Sequence, residues 1–191
     1  MNDSTTRLER QDRILDATLR VIGRDGVDSV SMATIARESG LSRPALYQYF
    51  SSQEDIFAEL VINELADFSN ALDARVAIHD DPREQVRVWV HYSLAHLASA
   101  EHRLIRNISV DSLPEEKHGI LRALHGQLML SLMSPLRALG LTDPTSTCHL
   151  IYASVAEAAK RIDAGVEFAH EAAALEPFVM AGIDGALNSR R

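Results

Sequence analysis

The sequence predicts an all-α fold of about nine helices, with an N-terminal three-helix head containing a helix-turn-helix and a larger helical remainder. Three observations carry this expectation. Apolar residues recur at helical spacing along the chain, with no sustained alternation of the strand type. Glycines and Asp-Pro pairs interrupt that pattern at Gly26, Gly40, Asp81-Pro82, Gly140, Asp143-Pro144 and Gly165. Between Ile35 and Phe50 two short helical patterns meet at a glycine turn, in the order I-A-R-E-S-G-L-S-R-P-A-L-Y-Q-Y-F.

The first helix runs from Leu8 to about Arg24, where Ile14, Leu15, Thr18, Val21 and Ile22 make one apolar stripe and Gly26 ends it. Helices two and three form the turn unit at about 31–38 and 42–49. Ser52, with Asp55 three residues on, has the form of a capping box and opens a long fourth helix to about Arg75. Pro82 suits the first turn of a fifth helix ending near Ala100, and a shorter sixth follows from Glu101 to Val110. Pro114 opens the seventh, which ends near Gly140. Asp143-Pro144 starts an eighth that stops at Gly165, and the ninth spans about Glu167 to Leu187. No linker rich in Pro, Gly or Ser divides the chain, and it contains no internal repeat.

Within the turn unit, Met32, Ile35 and Ala36 are the apolar residues of the first short helix, and Leu41 packs the turn after Gly40. Ser42 can cap the second helix. Pro44 sits in its first turn, where a missing N–H costs nothing. That helix carries Arg43, Tyr47, Gln48 and Tyr49 near its exposed start, where base edges and phosphates are reached in a DNA major groove. Phe50 suits a core. Two tyrosines on opposite faces of a two-turn helix cannot both be core residues.

The ordered landmarks Ile14-Leu15-Asp16-Ala17, Gly26, Ser31 with Ile35-Ala36, Gly40, Leu46-Tyr47-Gln48-Tyr49-Phe50 and Ser52-Gln53-Glu54-Asp55-Ile56 resemble the TetR family of bacterial transcription regulators. The resemblance is close over roughly residues 10 to 60 and rests elsewhere on length and helical character. It implies a homodimeric repressor held on a palindromic double-stranded DNA operator and released by a small-molecule effector. Residues 1–55 would bind DNA, with helix four connecting from about 52, and residues 56–191 would bind ligand and dimerise. Ser31, Thr34, Ser42, Tyr47 and Tyr49 would hold phosphates; Arg43, Ala45 and Gln48 would face bases, with Pro44 in the same turn.

Two departures from the family pattern matter. Gln53 stands where the family usually has a phosphate-touching lysine, so one charged contact is missing. Ala45 replaces the common Gly or Thr and offers only a methyl to a thymine methyl. Ala33 is likewise too short to read a base. Specificity then falls on Arg43, Gln48 and the two tyrosines.

The net charge of −8 speaks against a nucleic-acid binder until the charges are placed. The first 55 residues hold nine acids against seven arginines, so the head is not basic as a whole. DNA affinity depends on which charges face phosphates and not on the sum. Arg7 and Arg10 lie in a polar leader that serves either as a flexible arm or as a solvated tail. Nothing in the chain has the form of a signal peptide or of a membrane-spanning run, and a lone Cys148 excludes an intrachain disulfide, in keeping with a cytoplasmic protein. Cys148 reads as a redox switch or as a small buried hydrophobe.

Helices five to seven carry the candidate effector residues Trp89, Tyr92, His96, Ile105, Arg106, His125, Leu128 and Met129, an apolar set with a few polar groups, although ordinary core packing accounts for many of them. In the last two helices, Ile151, Val155 and Ile162 form one apolar face and Leu175, Val179 and Ile183 another. Such faces either close a monomer's core or, as the resemblance implies, pair with their symmetry mates in a four-helix dimer interface. No His-Glu-x-x-His, paired cysteines or Gly-rich phosphate loop is present, so no metal, cofactor or catalytic site is expected. Two alternatives stay open: a helix-turn-helix regulator controlled by a partner protein, and an all-helical enzyme.

Overall fold

The computed structural model describes residues 2–188, which contain helices and turns and no strand. The helices are α1 (Asn2–Asp25), α2 (Met32–Ser39), α3 (Arg43–Leu46), α4 (Gln53–Ala77), α5 (Pro82–Leu97), α6 (Ala100–Ile105), α7 (Glu115–Ala138), α8 (Pro144–Asp163) and α9 (Phe168–Asn188), with 3-10 turns at Val27–Ser29 and Val110–Ser112. The all-α expectation of nine helices holds for the described residues.

By internal packing the chain divides into two compact units: Met1–Glu64 with Ala100–Arg122, and Leu65–Ser99 with Ala123–Arg191. Helices α4 and α7 contribute to both. In the first unit α1 packs on α2 and on α6. Its stripe of Ile14, Ala17, Thr18 and Val21 is almost wholly buried. The Thr18 hydroxyl, the one polar group in that stripe, donates to the Ile14 carbonyl at 2.9 Å, so burying it leaves no orphan.

In the second unit α5, α8 and α9 pack on one another. Trp89 is fully buried there, and its indole N–H donates to the Ser131 hydroxyl at 3.0 Å. A tryptophan placed so deep needs such a partner.

Three element boundaries differ from expectation. The polar leader is not an arm: Arg7 and Arg10 lie inside α1, where leucine, arginine, glutamate and glutamine are strong helix formers. Helix α6 ends at Ile105 instead of Val110, closed by an Ile108 N–H to Ile105 carbonyl bond of 2.8 Å ahead of the 3-10 turn. Helix α3 is a single turn. Beyond Leu46 the chain tightens into i−3 bonds, Gln48 N–H to the Ala45 carbonyl and Tyr49 N–H to the Leu46 carbonyl.

Candidate nucleic-acid interface

The interface is built on two capped helix starts. Ser31 caps α2, its hydroxyl accepting from the Thr34 N–H at 3.1 Å while the Thr34 hydroxyl accepts from the Ser31 N–H at 2.8 Å. This is a capping box with threonine in the place of the usual glutamate. Both hydroxyls, expected on phosphates, are thus engaged first in holding the helix end.

Gly40 ends α2 with φ 72°, the left-handed region that glycine enters without strain. The Leu41 N–H then returns to the Ala36 carbonyl at 2.9 Å, which fixes the turn. Ser42 caps α3 through the Ala45 N–H at 3.3 Å, and Pro44 stands in the first turn.

This frame has one anchored side and one open side. Leu46 and Phe50 are buried in the first unit. Ser42, Arg43, Pro44 and Gln48 are exposed, Tyr47 is 48 % exposed, and Ala45, Tyr49 and Gln53 are half-buried. Core packing accounts for Phe50 and for neither tyrosine fully. Tyr49 has a partner that the sequence did not suggest: Arg10, on α1, donates to its hydroxyl at 3.0 Å.

At the start of α4 the Ser52 hydroxyl accepts from the Asp55 N–H at 3.1 Å. The returning contact differs from a capping box, because the Asp55 carboxylate accepts from Ser51, through its N–H and its hydroxyl. Gln53 is the first helical residue.

Charge on this unit is sorted by pairing. Glu38 of α2 accepts from Arg20 and Arg24 of α1, both at 3.2 Å. Those two hydrogen bonds hold its carboxyl below the usual range. Arg7, Arg13, Arg37 and Arg43 are exposed.

The eight expected effector residues do not gather in one unit. Ile105, buried, and Arg106, exposed, belong to the first; the other six belong to the second. There Trp89, Leu128 and Met129 are core residues. Tyr92 and His96 both stack on Phe68, His96 at 3.8 Å between ring centroids, and the Arg75 guanidinium lies 4.2 Å over the Tyr92 ring. His125 is exposed and meets Tyr152 edge-on. Sequence reasoning missed Ser69 on α4 and Ser93 on α5, whose buried hydroxyls have no hydrogen-bond partner. A serine in a helical pattern gives no signal until its neighbours are placed.

The expected dimer face is corrected. Ile151, Val155, Leu175, Val179 and Ile183 are all buried in the second unit's own core, and Ile162 packs half-buried against it. Their helices carry a second apolar face, with Leu150 69 % and Phe178 67 % exposed. Together with Ala153 and Ala174 these residues line an open groove of about 580 Å³.

Cys148 is buried beside Met129, the two sulfurs 3.7 Å apart, and burial pushes its thiol pKa up. A protonated, inaccessible thiol suits a small hydrophobe, not a redox switch.

Residues 14–60, the segment containing this interface, match the family model of bacterial regulatory proteins, tetR family. The regulator BetI from Agrobacterium fabrum is 34 % identical over 84 residues, or 44 % of this chain and 41 % of BetI. The chain thus spans under half the length of that relative. A TetR-like transcriptional regulator from Rhodococcus sp. RHA1 superposes with a TM-score of 0.71 at 24 % identity, covering 92 % of this chain and 96 % of its own. FadR from Bacillus subtilis, solved in complex with stearoyl-CoA, gives 0.73 at 16 % identity, with 89 % and 97 % covered. The N-terminal segment is thus similar to that of the tetR family of bacterial regulatory proteins, and the fold of the described residues is like that of TetR-like regulators. Among the described residues, no helix is long and apolar enough to cross a membrane.

Proposed function

We propose that the protein is a DNA-binding transcriptional regulator, a repressor that leaves a palindromic operator when a small molecule binds. The observation that carries this reading is the open side of α3. Arg43, Tyr47 and Gln48 are presented to solvent on a frame held by two caps, a glycine turn and the buried Leu46 and Phe50. Side chains that can reach base edges are useful only on a rigid support. Arg43 and Gln48 face bases, Ser42, Tyr47 and Tyr49 take phosphates, and the start of α4 at Gln53 adds a backbone N–H contact.

The effector would enter the second unit. Its aromatic group of Phe68, Tyr92 and His96, together with the orphan hydroxyls of Ser69 and Ser93, supports a ligand that is mostly apolar and forms a few hydrogen bonds. Helix α4 runs on from the DNA-reading unit, so a ligand that favours one position of α4 changes DNA affinity by the same coupling energy. The exposed faces of α8 and α9 would pair two copies, because a palindrome calls for a two-fold dimer.

Fluorescence anisotropy with a labelled random-sequence duplex tests the DNA-binding step. Binding at low salt that weakens steadily as salt rises is expected, since counterions are released from neutralised phosphates. No binding at low salt would contradict the reading.

A further inference from the structure

We propose that Arg10 is a positioning residue that orients and polarises the Tyr49 hydroxyl for a DNA phosphodiester oxygen; this rests on the DNA-binding reading above. The residues lie far apart in sequence, Arg10 on α1 and Tyr49 just after α3, yet the Arg10 Nη1 donates to the Tyr49 hydroxyl oxygen at 3.0 Å. A phenol has one proton to give and lone pairs with which to accept. An oxygen that accepts from a guanidinium keeps its own proton for another acceptor. The neighbouring cation also strengthens that O–H as a donor. The acceptor suited to such a donor, beside a positive charge, is an anionic oxygen.

The position of Tyr49 fits this role. Its backbone N–H is bound to the Leu46 carbonyl at 2.9 Å, and Phe50 next to it is buried, so the backbone is fixed from within. The side chain is half-buried, and its hydroxyl meets Arg10 at an exposed site. Tyr47 and Gln48, immediately before it, are exposed on the proposed DNA side. Arg10 thereby puts a cation beside a phosphate-seeking hydroxyl in a head whose fourth helix opens with the uncharged Gln53.

A double-mutant cycle tests the proposal, with Arg10→Met, Tyr49→Phe, the pair, and Arg10→Lys in each background, titrated by anisotropy against a labelled random-sequence duplex. Each single change should weaken binding by about tenfold, the scale of a hydrogen bond involving a charged group. The pair should bind no more weakly than the weaker single variant, because both remove one contact. Lysine should recover part of the affinity when Tyr49 is present and none in the Tyr49→Phe background. A structural role for Arg10 would not make the rescue depend on a hydroxyl. Losses that multiply in the pair, equal lysine rescue in both backgrounds, or no loss from Arg10→Met would each overturn the proposal. A wild-type chain that binds no duplex would overturn the regulator reading itself; binding with an additive cycle would overturn only the role of Arg10.

Discussion

Gln53 begins α4 with a half-buried side chain and an N-terminal backbone beside it. If that helix start meets a phosphate, the N–H contact is kept and a charge is missing. Gln53→Lys should then tighten binding to every duplex by a similar factor and steepen log affinity against log salt by about 0.9. Base preference should stay put, as phosphates carry no sequence information. An unchanged slope across a salt series would remove α4 from the interface. Arg43 is the opposite case, an exposed fork at the start of α3 that can bond guanine O6 and N7 together. Arg43→Ala should lose about 1–3 kcal/mol of discrimination. Competition between a duplex enriched by selection from a random-sequence pool and a scrambled duplex reads this directly, and equal losses on both would make Arg43 a phosphate contact.

At the scale of elements, the turn between α2 and α3 depends on the backbone of Gly40 and not on the space around it. A Cβ there would meet nothing within 4 Å, yet φ is +72°. Gly40→Ala should therefore cost about 1–2 kcal/mol from left-handed strain alone. Gly119, inside α7, also has open space but no positive φ, so Gly119→Ala should stabilise by about 0.5–1 kcal/mol. Urea unfolding of both variants checks the pair; matching signs would contradict this account.

Elements were legible where the signal was local. Gly40, Ser42, Pro44 and the Ser52–Asp55 pair marked true helix ends because capping is decided within a few residues. The helical leader escaped detection because it has no apolar stripe, only residues of good propensity. The Arg10–Tyr49 bond, the orphan serines and the split of the effector candidates depend on elements meeting in space, and no local spacing encodes them.

On the scale of the whole molecule, α8 and α9 each carry two apolar faces, and the sequence does not say which one the chain covers itself. The stripe of Val155, Val179 and Ile183 closes the core and leaves Leu150 and Phe178 exposed, where the proposed dimer would cover them. Leu150→Glu with Phe178→Glu should give a folded chain that sediments as a monomer and loses operator affinity. By contrast Val179→Glu places an unpaired charge in the core, costs about 2 kcal/mol or more, and should lower the melting midpoint at any concentration. A doubly substituted chain that stays dimeric would move the interface off this groove.

The central claim is that α3 reads a palindrome on behalf of a two-fold dimer. Selection from a pool of random-sequence duplexes by the full chain, followed by sequencing of the bound fraction, tests it most directly. Enrichment of one inverted repeat, lost with Arg43→Ala, is the predicted result. A bound pool no different from the input would contradict the account.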